Sequence, residues 1–394
     1  MFLVSVLWTG FFVVNFNIAM MIPLLPFIQA DIGLTPSQAG LVLAAFPVTA
    51  LVGNLALGPF IDRFGRRRFI VTGAAACALL FVATAVAGSA ALIALGRAAS
   101  GLFMPMVGAS VFAAIADYVP PADRARVAGY VTTAAPIAFL LSMSLGVVSG
   151  GLLAWQLPLL AMAMVCLALA VAASRLPPTP RMALAGQPVT ARTYRDRLLS
   201  LSLDSGTRLL LLSYLCWSGA VFVFLGLYPS WVVQNGLPGR GAGTIGAMLF
   251  LGEIGGLLGA LLAGRLAGLF RHPLGFCALA AIMAAAVVLA VPLGAGHLAF
   301  QAVAYGIFAF CRDLMLALIL GGAMLVVGAA QRGSLNAVLN VIYQTGASLA
   351  GVAGAWLHAF DPGFTANAAA ACALFAASGL MLWRITRLRV PTLA

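Results

Sequence analysis

Charged residues are scarce in this chain of 394 residues, and lysine is missing altogether. Only 8% of the residues are charged, whereas a typical soluble domain carries about 25%. In contrast, 63% of the residues are apolar and the mean hydropathy is +1.10. A soluble chain of this composition would have too few polar groups to cover its surface. The composition therefore excludes soluble enzymes, disordered tails and nucleic-acid-binding modules, and it predicts a protein that crosses a membrane many times.

The motifs of cofactor and metal chemistry are also missing. The six cysteines lie in apolar runs and no two form a CxxC pair, so we expect no disulfide framework and no metal site. The three histidines share no metal-ligand spacing. The chain contains no P-loop and no nucleophile with a companion base, so we expect no ATP, no other cofactor and no enzymatic activity.

Long apolar runs dominate what is present. A helix needs about 20 apolar residues to cross the hydrocarbon layer, because lipid offers the backbone no other hydrogen-bond partner. Twelve runs meet this requirement, and they predict an all-α membrane protein with twelve transmembrane helices. The predicted spans are 4–28, 37–61, 69–88, 90–117, 128–152, 157–174, 208–233, 243–266, 274–292, 298–327, 334–357 and 365–385.

One polar segment divides these spans into two groups of six. Residues 175–207 contain four prolines and five arginines but no long apolar run. We therefore predict an N-terminal six-helix bundle over 1–174, a central cytoplasmic loop over 175–207 and a C-terminal six-helix bundle over 208–394.

The distribution of arginine predicts the orientation in the membrane. If both termini are cytoplasmic, eighteen of the 21 arginines lie on the cytoplasmic side and only Arg240 lies outside. Basic residues are retained on the cytoplasmic side of membrane proteins. We therefore expect a multi-pass protein of the bacterial inner membrane with both termini in the cytoplasm.

The two halves of the sequence carry related segments. Gly58-Pro-Phe-Ile-Asp62-Arg63-Phe-Gly65-Arg66 stands at the end of the second span, and Gly264-Arg265-Leu-Ala-Gly268 stands at the matching place in the second half. Two related six-helix bundles predict a substrate site at their interface near the middle of the membrane, with access that alternates between the two sides.

The segment from Gly58 to Arg66 also resembles the signature of the major facilitator superfamily, G-x-x-x-D-R-x-G-R, in the loop after the second span. The resemblance implies a transporter fold with two pseudo-symmetric bundles. It further implies a cytoplasmic gate, in which Asp62 ends a helix facing the second bundle and Arg66 reaches Asp117. The residues assigned to this gate are Gly58, Asp62, Arg63, Gly65, Arg66 and Asp117.

Other segments resemble the twelve-helix drug:proton antiporter branch of that family. Arg97 and Gly101 form an R-x-x-x-G arrangement in the fourth span. The fifth span carries Gly146-Val147-Val148-Ser149-Gly150-Gly151, where the antiporter signature G-P-x-x-G-G has proline in place of Val147. The glycines can also serve only close helix packing.

Four ionisable residues are placed deep in the predicted spans: Arg97, Glu253, Arg312 and Asp313. Such residues are costly in lipid and are functional candidates. As neighbours on a helix, Arg312 and Asp313 are expected to point about 100° apart and to find other main partners. Glu253 has no charged neighbour in sequence, so we expect it to carry a coupling proton while Asp313 keeps Arg312 neutralised. The alternative is a fixed ion pair between Arg312 and one of the two acids, which braces the second bundle.

Arg97 is the only deep charge of the first half. It can anchor an anionic group of a substrate or influence a carboxyl across the cavity. Alternatively, it is a residue that extends towards the membrane surface, because it lies only about seven residues inside its span.

Polar and aromatic side chains complete the predicted cavity. The predicted cavity residues of the eleventh span lie on one face of their helix, and so do those of the seventh span. The two asparagines of the first span lie on opposite flanks of their helix. Each amide can instead hold helices together. The predicted cavity residues are Asn15, Asn17, Arg97, Tyr214, Trp217, Tyr228, Asn340, Tyr343 and Gln344.

The function expected from these features is secondary active transport, with export of a small amphipathic compound in exchange for protons. The expected partners are a small-molecule substrate, protons and the lipid bilayer, and we expect a monomer without nucleic acid. Two alternatives stay open: a metabolite or sugar facilitator without obligate proton coupling, and a membrane sensor or scaffold that does not transport.

Overall fold

The computed structural model describes residues 1–120, 123–178, 205–270, 273–326 and 332–388. Almost all of these residues are helical. Most of the predicted central loop, 175–207, lies outside the described residues.

The described part of the first half contains seven helices. Six of them coincide with the six predicted spans, except that α6 covers only the main part of the fifth span. Helix α5 is the separate first section of that span. Their bounds are α1 Phe2–Ile32, α2 Pro36–Phe64, α3 Arg66–Ala85, α4 Ala90–Tyr118, α5 Arg124–Thr132, α6 Ala134–Leu152 and α7 Gln156–Ser174.

The described part of the second half repeats this pattern. The seventh span consists of a long helix, a break and a short helix that continues into a π-helical turn, Val232–Gly236. The α-helices are α8 Ser205–Leu225, α9 Tyr228–Trp231, α10 Ala242–Gly268, α11 Pro273–Ala290, α12 Leu298–Val326, α13 Arg332–Phe360 and α14 Thr365–Leu388. The helices of both halves confirm the predicted all-α class, with bounds close to those read from the apolar runs.

Eleven helical segments in the described part of the chain are long and apolar enough to cross a membrane. Helix α13 is 29 residues long but is not among them. It carries Asn340, Tyr343 and Gln344, whose polar groups lower its hydropathy. Large apolar side chains also lie exposed on the helices, including Leu79, Leu279 and Trp356. Such a surface is suited to contact with lipid chains, in agreement with a multi-pass membrane protein.

The structure divides into two compact units. The first contains α1–α7 together with residues 241–246, and the second contains α8, α9 and the chain from residue 247 onward. The largest fully buried side chains differ between the units. In the first they are aliphatic or sulfur-containing, such as Leu7 and Met20, whereas in the second they are mostly aromatic, such as Trp217 and Phe224.

Local sequence accounts for the connections between helices. Thr35 and Gln38 form a reciprocal capping box at the start of α2: the Thr35 backbone N–H donates to Gln38 Oε1 at 2.9 Å, and the Gln38 N–H donates to Thr35 Oγ1 at 3.3 Å. A single residue, Gly65, separates α2 from α3, with φ of 90°. A side chain at this φ would be strained, so the turn explains why the signature segment has glycine there.

Two predicted spans are broken, and a proline explains each break. Proline has no backbone N–H and cannot donate to the carbonyl four residues earlier. Helix α5 ends at Thr132, four residues before Pro136, and α8 ends at Leu225, four residues before Pro229.

Candidate functional site

The second unit contains a buried cluster of two carboxylates and one guanidinium, which we call the charge cluster: Glu253, Arg312 and Asp313. Arg312 Nη1 and Nη2 donate to Glu253 Oε1 and Oε2 at 3.0 and 2.7 Å. Arg312 Nε and Nη2 donate to Asp313 Oδ1 and Oδ2 at 2.9 Å each. Arg312 therefore bridges both acids through paired hydrogen bonds, the geometry in which arginine binds carboxylates most strongly.

The expectation that Arg312 and Asp313 would not be main partners is wrong. Their Cβ atoms do leave the helix in different directions, but the arginine side chain is long enough to turn its guanidinium edge back onto its neighbour. The rule for adjacent helix positions describes the direction of short side chains, and it does not limit the reach of arginine. The alternative of an ion pair between Arg312 and one acid is also too narrow, because both acids bind it.

Tyr305 extends the charge cluster. Its hydroxyl donates to Glu253 Oε1, and its ring stacks on that of Tyr228 with centroids 5.1 Å apart. The Tyr228 hydroxyl donates to Gln301 Oε1 at 3.0 Å. Sequence reasoning missed Tyr305, although its position seven residues before Arg312 places both on one face of α12.

Glycines of α10 make room for the charge cluster. A Cβ atom on Gly256 would lie 2.5 Å from Asp313 Oδ2 and 3.0 Å from Arg312 Nη2. A Cβ on Gly255 would lie 2.3 Å from the carbonyl oxygen of Gly306 in α12. The two backbones thus approach closely, and this approach lets Glu253 on α10 reach Arg312 on α12.

The two acids of the charge cluster differ in surroundings. The Glu253 side chain is 0% exposed and accepts hydrogen bonds from Arg312 and Tyr305. The Asp313 side chain is 12% exposed, and among the described residues only Arg312 donates hydrogen bonds to it. Of the two carboxylates, Asp313 is therefore the one that is more exposed.

The predicted aromatic residues fall into two clusters within the second unit. Tyr214 stacks on Trp217 at 5.4 Å, and Tyr343 lies 6.2 Å from Trp217. Tyr228 does not belong to this cluster, because the break before α9 turns it towards Tyr305 and Trp231. The expectation that Tyr228 shares a face with Tyr214 and Trp217 is therefore wrong.

Helix α13 places its two predicted amides differently. Gln344 is buried, and its backbone carbonyl accepts a hydrogen bond from Ser348 Oγ at 2.6 Å. Asn340 is exposed.

Arg97 in the first unit is buried, with 3% of its surface exposed. Its Nη1 donates to the side-chain oxygen of Asn17 at 2.6 Å and to the Asn17 carbonyl at 3.2 Å. The Phe46 ring centroid lies 4.8 Å from the guanidinium carbon. The alternative of an arginine extending to the surface does not fit this burial. Asn15 instead donates to the Phe11 carbonyl of its own helix at 2.8 Å, so only one of the two asparagines contacts Arg97.

The predicted contact between Arg66 and Asp117 is confirmed. Arg66 Nε lies 3.0 Å from Asp117 Oδ2, and both side chains are largely buried. The pair joins the start of α3 to the end of α4 within the first unit. Gly58, Asp62 and Arg63 lie in α2, and their side chains are outside the description.

We predict that Arg66→Ala and Asp117→Asn each slow transport while membrane insertion is retained. The loss of one partly buried ion pair corresponds to about two- to fivefold slower transport, measured as initial uptake in vesicles. Arg126→Ala, at an exposed position of α5, is the matched control. Normal rates in both variants would show that the pair has no role in the transport cycle.

The long apolar helices and the charges buried between them define a multi-pass α-helical membrane protein with an intramembrane ionisable site. Comparison with known proteins makes the assignment specific. The sequence matches the model of the Major Facilitator Superfamily over residues 7–351. The chain belongs to this family of membrane transporters and is not an enzyme.

Sequence relatives include the Quinolone resistance protein NorA of Staphylococcus aureus, 29% identical over 143 residues, and Multidrug resistance protein 1 of Bacillus subtilis, 26% identical over 147 residues. The match with NorA covers 36% of this chain and 37% of NorA, and the second match covers 36% of both chains. The aligned part thus spans little more than a third of each relative.

Solved structures share the fold along nearly the whole chain. The crystal structure of a D-xylose-proton symporter has a TM-score of 0.76 at 15% identity and covers 98% of this chain and 97% of its own. The nucleoside transporter NupG (D323A mutant) has a TM-score of 0.75 at 13% identity, with 98% of this chain and 100% of the other covered. At these identities the likeness concerns the fold alone.

Proposed function

We propose that this transporter exports small amphipathic compounds in exchange for protons, by alternating access of its two halves. The observation that carries the proposal is the charge cluster, two carboxylates on one buried arginine in a chain that has only nine acidic residues. Ionisable groups inside a membrane domain mark proton and substrate pathways. The names of the two sequence relatives, a quinolone resistance and a multidrug resistance protein, support export of drug-like compounds.

We assign the exchanging proton to Asp313 and not to Glu253. The argument for Glu253 was its lack of a charged neighbour in sequence, and that argument fails because Arg312 binds it through two hydrogen bonds. Protonation of Asp313 leaves Arg312 neutralised by Glu253. Protonation of Glu253 would disturb three hydrogen bonds at a side chain that is 0% exposed.

The test is transport into proteoliposomes that have an acidic lumen, with a fluorescent quinolone carboxylic acid as the probe. Molecules whose cytoplasmic face is outward should accumulate the probe while protons leave. With the membrane potential held at zero, one pH unit supports about tenfold accumulation for one proton per substrate. Protein-free liposomes are the control for passive distribution. Equal uptake with and without the gradient would favour the second candidate, a facilitator without obligate coupling, whose charge cluster would be a fixed brace.

We also propose that both termini are cytoplasmic and that the protein resides in a bacterial cytoplasmic membrane. In a variant without the six native cysteines, Arg240→Cys should react with an impermeant thiol reagent added to intact cells, and Gln187→Cys should not. Both positions should react once the membrane is permeabilised. The reverse labelling pattern in intact cells would contradict the orientation derived from the arginine distribution.

A further inference from the structure

Arg97 is a buried cation without a counterion in the described part of the chain. No ion pair joins it to an acidic residue there, although it is 3% exposed. Its hydrogen bonds go to the two oxygens of Asn17, which is an uncharged residue. A buried charge without a partner of opposite charge is unfavourable, so this position calls for an anion.

One edge of the Arg97 guanidinium makes no hydrogen bond to any described residue. Both hydrogen bonds of the group come from Nη1. Nε is completely buried and has no partner in the described part of the chain, and the same holds for Nδ2 of Asn17. The Nε–Nη2 edge carries two parallel N–H donors, which is the arrangement that fits the two oxygens of a carboxylate.

Arg312 shows how this chain uses the same edge elsewhere. There the Nε and Nη2 atoms donate to the two oxygens of Asp313, both at 2.9 Å. Arg312 thus receives its carboxylate from the protein. Arg97, on the corresponding fourth span of the first half, has the same edge but no such carboxylate among the described residues.

The surroundings hold the Arg97 side chain in place. Gly101 lies one turn after Arg97, and a Cβ atom there would be 2.4 Å from the Phe46 carbonyl of α2. Thr49 Oγ1 donates to the Ala98 carbonyl of α4 at 2.7 Å. This close contact between α2 and α4 brings the Phe46 ring against the guanidinium, 4.8 Å from its carbon atom, while Asn17 fixes the other side.

We propose that the Nε–Nη2 edge of Arg97 binds the carboxylate of the transported compound, so that the substrates are amphipathic carboxylic acids. The Asn17 amide N–H group is a further donor beside the same arginine. The inference rests on the proposed transport function, because it names the substrate class of that function. It assigns recognition to the first unit and proton exchange to the charge cluster of the second.

The test compares aromatic acids with their methyl esters, which differ in the carboxylate alone. The purified protein in detergent is titrated with naphthalene-1-carboxylate, with a quinolone carboxylic acid and with the methyl ester of each, and binding is followed by thermal unfolding. Each acid should bind at least about tenfold more tightly than its ester, because hydrogen bonds to charged groups are strong. Esters that bind as tightly as the acids, or no binding by either, would overturn the proposal.

Variants then tie the acid preference to Arg97. Arg97→Gln should remove the preference, and Arg97→Lys should retain only part of it, because an ammonium group cannot make the paired contact. Arg126→Gln, at an exposed position, is the control and should keep the preference. An unchanged preference in Arg97→Gln would contradict the proposal. Stabilisation by sodium chloride equal to that by the acid would also contradict it, since the site would then bind small inorganic anions.

Asn17→Asp is the variant that keeps the test valid if Arg97→Gln does not fold. It places a carboxylate where Oδ1 already lies 2.6 Å from Arg97 Nη1. The protein without ligand should then unfold at a higher temperature, while the acid preference disappears. A lower unfolding temperature together with an intact preference would overturn the proposal.

The binding assay needs no pH gradient, so its outcome is separate from that of the proposed function. If the protein binds acids more tightly than esters but shows no gradient-driven accumulation, proton coupling is contradicted and the carboxylate site is retained. If the acid and the ester both accumulate to the same extent under the gradient, the carboxylate site is contradicted and proton coupling is retained.

Discussion

Asp313→Asn is expected to abolish uphill accumulation of substrate while the exchange of substrate across the membrane continues. In this variant the side chain at 313 can neither bind nor release a proton, and Arg312 keeps Glu253 as its counterion. The accumulation ratio in vesicles with an acidic lumen should fall from about tenfold per pH unit and proton to that of protein-free liposomes. Counterflow of labelled substrate between preloaded vesicles and medium measures the exchange.

Asp123→Asn is the matched control for this prediction. Asp123 is exposed, and its side chain makes no capping hydrogen bond to α5, so the same chemical change there should leave accumulation unchanged. If Asp313→Asn accumulated substrate as well as the wild type does, Asp313 would have no part in coupling.

Glu253→Gln is expected to reduce the stability of the protein severely. The side chain is 0% exposed and accepts hydrogen bonds from Arg312 Nη1, Arg312 Nη2 and the Tyr305 hydroxyl. An amide would replace one of the two acceptor oxygens with an NH2 group that faces a donor, and it would remove one of two negative charges from a buried arginine. A buried donor left without an acceptor costs about 1–3 kcal/mol, so the unfolding temperature in detergent and the yield of folded protein should both fall.

Two further variants isolate the cause of this loss. Glu253→Asp keeps the charge and should lose less stability than Glu253→Gln. Tyr305→Phe removes a single donor and should cost about 0.5–1.5 kcal/mol. A stable Glu253→Gln protein, paired with an Asp313→Asn protein that fails to fold, would reverse the roles of the two acids and restore the assignment first made from sequence.

The helices could be predicted from sequence because one physical requirement governs them. Lipid forces the backbone to satisfy its own hydrogen bonds, and each span therefore appears as one apolar run. The breaks before α6 and α9 were not predictable in the same way. Pro136 and Pro229 end helices, whereas Pro23 and Pro105 lie inside α1 and α4. The sequence shows where the prolines lie, but it does not show which of them interrupts a helix.

The sequence predicts which charged residues form the candidate site, but it does not predict which of them contact one another. The four deep charges stand out in apolar runs, because such residues are rare there. The contact between Glu253 and Arg312 joins residues 59 positions apart, and it depends on the close approach of α10 and α12 at their glycines. The pairing of Arg312 with Asp313 depends on the side-chain conformation of one long residue, which helix periodicity does not describe.

The central claim, proton-coupled transport, is tested most directly by following the protons themselves. Proteoliposomes loaded with a pH-sensitive dye and held at equal pH on both sides would receive a quinolone carboxylic acid from outside, with protein-free liposomes as the reference. The account predicts that substrate entry through the wild-type protein drives protons outward, so that the lumen becomes more alkaline than in the reference, and that Asp313→Asn produces no such change. Entry of the substrate through the wild-type protein without movement of protons would contradict the account.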